Sequence, residues 1–312
     1  MITYPQYYGL DGSPGAAGPG SYSPAAPGGP AWQFEVDNLT GTPPATGPGT
    51  GFTYGGASAD GAAVTLLTAL ANEVQYVVLA INGADTNAED NSALGYLLVD
   101  TTGQVANWAA GTVAVKIADL VCGANALQNT NIGPSHWYHF PLKIPAGASV
   151  GWRARKAGAT ASTNGKIAIW CYGKPKNPTA WWCGDTVEAL GTTAASSKGT
   201  SHTPGNTGAF SAFAAVGTST RRYGAIQFGT NGSDGTMLAV GYYWQLGLAG
   251  AQLAGTPTIF RAGSTAETGV QVSPGPIFVD IPAASAIQVR GTCSGVAEAW
   301  DVAAYGVYKA NP

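Results

Sequence analysis

The chain is 312 residues long, 10% charged and 45% hydrophobic, with 45 glycines, nine tryptophans, fourteen tyrosines and a formal net charge of −3. This composition excludes a disordered polymer, which is charge-rich and short of aromatics, and the length holds two domains of roughly 100–150 residues. Basic residues are scattered, Arg221-Arg222 being the densest spot, so no stripe exists to neutralise phosphates and nucleic acid is excluded as a partner.

The start, Met1-Ile2-Thr3-Tyr4-Pro5, has no basic region, apolar stretch or cleavage site, so no signal peptide is expected. No run approaches the roughly 18 apolar residues of a spanning helix, and no membrane insertion is expected. Residues 1–31 read as an extended Gly/Pro-rich arm, densest from Gly12 to Gly20 and from Ala25 to Pro30. Proline removes backbone donors and glycine loses too much entropy for either helix or strand. The glycines keep no strict three-residue period, which disfavours a collagen helix. A segment with no core of its own is ordered only against a foreign surface. Tyr4, Tyr7, Tyr8 and Tyr22 are its candidate assembly contacts.

Residues 32–178 form the first predicted unit. Its strands fall on 75–82, 94–100, 112–120, 136–144, 148–155 and 166–173, rich in β-branched and aromatic residues and separated by turn residues. Gly61 to Ala71 fits either one short helix or a strand with a small-residue face. The loop Asp85 to Asn91 offers the oxygen ligands that Ca²⁺ takes. Asp90 stands where an EF-hand has its glycine, and Tyr96 where it has its glutamate, so a solvated turn is expected there. His136 and His139 sit three apart on a strand and point to opposite faces, so no metal pair is expected. Gly147-Ala148-Ser149-Val150-Gly151 spells a nucleophile-elbow pattern, but at the start of a strand rather than at a strand-to-helix turn.

Residues 179–184 read as a linker in which Trp181-Trp182 glue the units together, and residues 185–312 as the second unit. Its strands fall on 223–228, 237–246, 257–261, 276–281, 285–290 and 302–309, while 187–193 matches 36–42 and 208–215 matches the ambiguous stretch of the first unit. The second unit repeats the first. Ile144-Pro145-Ala146-Gly147 with Arg153 matches Ile281-Pro282-Ala283-Ala284 with Arg290, and both copies close in Asn-Pro, at Asn177-Pro178 and Asn311-Pro312. The offset shrinks from about 150 residues at Trp32/Trp182 to about 137 at Pro145/Pro282, so the second copy is shorter by about a dozen residues in its loops. Short strands at ten-residue spacing predict an all-β chain: two tandem antiparallel β-sandwich, jelly-roll-like domains behind the arm.

Trp152, Trp170, Trp300 and Tyr305 fall on strands and are expected in cores. Trp108, Trp137 and Tyr138 lie near loop ends and are the candidate glycan contacts, since aromatic faces stack on sugar rings. Catalysis on glycosides needs two carboxylates about 5–10 Å apart in a cleft. Glu89/Asp90 and Asp185/Glu188 are the nearest pairs, and neither is expected to qualify, so no enzyme is expected. Cys122, Cys171, Cys183 and Cys293 show no CxxC spacing, and reduced thiols are the default without a secretion signal.

The endings described above, each followed by a strand closing in an aromatic and glycine at Tyr172-Gly173 and Tyr305-Gly306, resemble β-sandwich domains of tailed-bacteriophage virion proteins. Fibres, collar or baseplate components and head decorations are of this kind. The resemblance spans residues 34–178 and 185–312. It implies a structural component of a virion, made in the host cytoplasm, with no cofactor. Its implied partners are other virion proteins and copies of itself, a trimer being favoured, with host-surface glycan as a further partner. Pro145/Pro282 and Arg153/Arg290 read as architectural, so no functional site carries over. The alternative is a glycan-binding, lectin-like or receptor-binding surface module.

Overall fold

A computed structural model describes residues 34–38 (backbone only), 50–57, 59–83, 93–102, 114–122, 135–156, 164–175, 182–192, 199–206, 209–232, 241–253, 259–262, 276–293, 295 and 299–310. These contain strands and no helix; no helix is long and apolar enough to cross a membrane. In the first half the strands are β1 (Phe34–Asn38), β2 (Thr50–Thr53), β3 (Gly55–Ala57), β4 (Val64–Leu67), β5 (Tyr76–Gly83), β6 (Ala93–Asp100), β7 (Ala114–Val121), β8 (Ser135–Phe140), β9 (Ser149–Lys156) and β10 (Asn164–Pro175). In the second they are β11 (Thr186–Leu190), β12 (Thr200–His202), β13 (Ala214–Thr218), β14 (Tyr223–Gly232), β15 (Gly241–Leu248), β16 (Ala251–Gln252), β17 (Ile259–Ala262), β18 (Ile277–Ile281), β19 (Ala286–Cys293) and β20 (Trp300–Tyr308).

Three sheets result. One has the order β1-β10-β5-β8, with β2 also on β10; a ten-stranded one runs β18-β14-β20-β11-β7-β6-β9-β3, with β12 on β20 and β4 on β9. The third is β13-β19-β15-β16, with β17 on β15. The pairing scheme of the first half recurs in the second. β10 holds β1, β2 and β5 as β20 holds β11, β12 and β14; β9 holds β4 and β6 as β19 holds β13 and β15. Single bonds recur as well: Leu70 N to Ala148 O reappears as Ser219 N to Ser285 O, and Gly147 N to Leu70 O as Ala284 N to Ser219 O. At that matched turn Gly147 has φ 79° and Ala284 φ 62°.

A parallel bridge from Val187 to Ile117 joins the halves into the ten-stranded sheet. As a result β20 is buried on both faces, from Asp301 through Val307. Val302 and Ala304 enter one core with Ile226, Phe228, Trp244 and Leu246, while Ala303, Tyr305 and Val307 enter the other with Val121, Tyr138 and Phe140. A strand covered on both sides loses polar/apolar alternation, which accounts for the unbroken run of apolar and small residues there. Its counterpart β10 alternates, with Ile167, Ile169 and Cys171 buried and Lys166 exposed.

The joint is also polar. The Tyr305 hydroxyl accepts a hydrogen bond from Val121 N at 2.7 Å and donates one to Asp119 O at 3.2 Å. β11 meets β7 only at Ile117, so further along β7 this side chain supplies what a neighbouring strand would. Its ring stands edge-on to Tyr138 at 5.7 Å. In the same way Gln227 of β14 accepts the backbone N–H of His139 at 2.9 Å, closing the edge of β8. The linker's Trp182 is half-buried and covers Gly224, whose added Cβ would meet the indole at 2.4 Å.

Glycine has a packing role inside the sheets. In the first half Trp152 lies over Gly95, where a Cβ would come within 2.0 Å of the indole. In the matching register of the second half the indole comes from the other strand, Trp244 lying over Gly291. Each core holds one fully buried tryptophan at this place. Within the stretch 61–71 Val64–Leu67 form β4, and Gly61 N bonds Ala154 O at 2.9 Å, so of its two readings the strand is the one formed. The expected strand 136–144 stops at Phe140, because Pro141 cannot donate to the ladder. The arm with Tyr4, Tyr7, Tyr8 and Tyr22, and the expected boundary at 178/179, lie outside the described residues.

Candidate functional site

The outer face of the β13-β19-β15 sheet combines exposed aromatics with an arginine that meets no carboxylate among the described residues. Trp244, Leu246, Ile287, Val289 and Cys293 point into the core, so alternation places Tyr243 and Gln245 of β15 and Gln288, Arg290 and Thr292 of β19 on the opposite face. Tyr243 pairs directly with Thr292, and Gln245 with Arg290. Tyr243, at 39% exposure, and Phe210, at 38%, are two of the three exposed large hydrophobic side chains among the described residues. The Arg290 guanidinium lies over the Phe210 ring at 4.8 Å and the Phe213 ring at 4.6 Å, and its Nε donates to Gln245 Oε1 at 2.9 Å. Phe213 in turn rests on Gly247, where a Cβ would come within 2.4 Å of its ring. The guanidinium is thus fixed in plane and direction. No carboxylate meets it among the described residues, and the residue is only partly buried.

The first half carries the same framework with its charges satisfied. Arg153, the counterpart of Arg290, pairs across to Tyr96, the counterpart of Gln245, and lies over that ring at 5.2 Å. It also forms an ion pair with Asp60 at 3.1 Å. Arg155 lies over the same ring at 5.3 Å and meets Asp119 at 2.6 Å, while the Tyr96 hydroxyl donates to Asp119 at 2.7 Å. Burial, reinforced by the bond to the Asp119 carboxylate, pushes the Tyr96 phenol far above its usual range. Gly61 N and Ser211 N make equivalent bonds, to Ala154 O and Gly291 O, so Phe210 stands where the first half has Asp60. That exchange removes from beside Arg290 the carboxylate that pairs with its counterpart Arg153.

Of the candidate glycan contacts, Tyr138 requires correction. It is fully buried, donates its hydroxyl to Val121 O at 2.5 Å and packs on Phe140 at 6.1 Å, because β8 turns that residue into the core shared by the halves. Trp108 and the side chain of Trp137 lie outside the described residues, as do the 85–91 loop and the Glu89/Asp90 pair. Asp185 and Glu188 each serve the backbone: Asp185 accepts from Ala310 N at 2.8 Å, and Glu188 accepts from Thr220 N at 3.2 Å, from Thr220 Oγ1 at 2.6 Å and from the Tyr223 hydroxyl. Ser149 is fully buried at the start of β9. His139 is buried among apolar neighbours, which lower its pKa to about 4. No group of three or more metal-ligating side chains occurs among the described residues. All four cysteines are free. The repeat aligns Arg153 with Arg290, and the exchange of Asp60 for Phe210 is the sequence difference between their surroundings.

Fold and face together define an all-β protein with an aromatic, cationic surface on its second half. No family model matches the chain, and no curated protein matches it. Among solved structures, PNGF-II in the C2 space group is similar over 81% of this chain and 60% of that one, at 11% identity and a TM-score of 0.33. The chain therefore spans less than two thirds of that protein's length, and a likeness of this degree carries no argument about activity.

Proposed function

We propose that the chain is a non-enzymatic structural component of a phage-like virion, anchored through its N-terminal arm and displaying two β-sandwich units. The observation that supports this most is the joint between the halves. One continuous sheet, a core shared through Ala303, Tyr305 and Val307, and the Tyr305 hydrogen bonds tie the units together. Such a bar suits a load-bearing part better than an enzyme that opens and closes around substrate. The carboxylates of Asp60, Asp119, Asp185, Glu188 and Asp280 hold strands and turns together. An arm ordered against neighbours costs roughly 1–2 kcal/mol per residue in backbone entropy, so extensive contacts have to offset it.

Mass spectrometry and antibody labelling of purified particles test the reading. The expected result is the chain at fixed stoichiometry and at one regular position, lost when residues 1–31 are deleted. Absence from purified particles, or normal incorporation of the truncated chain, overturns it.

A further inference from the structure

We infer that the outer face of the β13-β19-β15 sheet is a binding site for a carboxylate-bearing saccharide, with Arg290 as the carboxylate receptor and Phe210 and Tyr243 as the sugar-stacking platform. The duplication supplies the internal comparison. In the first half the matched arginine, Arg153, is neutralised by Asp60 at 3.1 Å. In the second half Phe210 occupies that position and the arginine keeps its place between two rings. A guanidinium with Nε already engaged by Gln245 presents its remaining N–H groups as a fixed fork, the geometry that receives a carboxylate in two parallel bonds. Among the described residues no carboxylate takes the place of Asp60, and a ligand would supply one.

The surroundings favour a sugar as the carrier. Phe210 and Tyr243, the two exposed rings on this surface, offer apolar area to the C–H face of a pyranose ring. On the same face the buried Gln245 holds Arg290, Gln288 accepts from Gly250 N at 2.5 Å, and Thr292, opposite Tyr243, has a buried hydroxyl without a hydrogen-bond partner. This inference concerns what the surface binds and does not depend on where the protein resides.

Calorimetric titration of the full chain tests it, with trigalacturonate and sialyllactose as probes. Methyl-esterified trigalacturonate and lactose are the neutral counterparts, and an acidic tripeptide is the non-sugar carboxylate. At least one acidic saccharide is expected to bind, more weakly in 0.5 M salt, and at least tenfold more tightly than its neutral counterpart. Arg290→Gln is expected to weaken it at least tenfold. Phe210→Asp should do the same by restoring the internal ion pair of the first half, and it remains informative if Arg290→Gln fails to fold. Arg222→Gln, which removes the same charge from an exposed pair with Asp280, should bind as wild type. The inference is overturned if neither acidic saccharide binds, if the neutral forms bind equally, if Phe210→Asp retains full affinity, or if the acidic tripeptide binds more tightly than both sugars.

Discussion

Replacing Tyr305 by phenylalanine removes one oxygen from the place where the halves meet and leaves the ring, so no cavity opens. The Val121 N–H then loses its acceptor at 2.7 Å and the Asp119 carbonyl its donor at 3.2 Å, in a region where Val121 and Tyr305 are fully buried. A buried donor left unpaired costs about 1–3 kcal/mol, and a carbonyl that loses its donor adds to that, so a loss of about 2 kcal/mol is expected. Equilibrium urea unfolding followed by tryptophan fluorescence and far-UV circular dichroism reads it. Because the core is shared, the wild type should show one coincident transition by both probes, and the variant an earlier midpoint at unchanged slope. Tyr308→Phe is the control: that side chain is only partly buried, packed against the second core, and its substitution should stay within about 0.5 kcal/mol. A change below about 0.5 kcal/mol for Tyr305→Phe would refute the view that its hydroxyl completes the β7 edge.

Three further outcomes are expected. Ala284 holds φ 62° where its counterpart is Gly147; Ala284→Gly relieves the left-handed strain and should raise stability by about 1 kcal/mol in thermal or urea unfolding, and a loss would count against it. Burial lowers the pKa of His139 to about 4 against about 6.5 unfolded, so the unfolded chain takes up a proton that the folded one refuses. The folded state keeps this advantage above about pH 6.5 and loses roughly 3 kcal/mol as pH falls to 4; His139→Gln should flatten that slope, and an unchanged slope would show another group responsible. Cys122, Cys171 and Cys293 are buried while Cys183 is half-buried, and burial pushes the Cys171 thiol up to about 12. Native protein should therefore titrate with Ellman's reagent at one thiol, and denatured protein at four; two or more fast native thiols would refute the packing.

Much of this architecture was readable from local pattern. Val77 to Ile81, Leu94 to Val99 and Ile287 to Val289 carry strand-forming residues between turn signals, and period two holds wherever a sheet has one covered face. The repeat was readable because it preserves Pro145/Pro282 and Arg153/Arg290 in order, and order is a one-dimensional property. Long-range packing decided the rest. Tyr138 looked like a loop-end aromatic, yet a strand from the other half covers it. The stretch 61–71 had no decisive period, and its partner Val150 to Trp152 lies far along the chain. Trp152 and Trp244 occupy different strands yet fill the same place in their cores, which becomes visible only when Gly95 and Gly291 are seen beneath them. Likewise Asp60 and Phe210 are an unremarked pair of loop residues until the sheet brings an arginine to each. Local sequence sets the conformation a segment adopts alone, whereas a side chain's exposure and charge balance depend on neighbours far along the chain, and those the folded chain alone brings together.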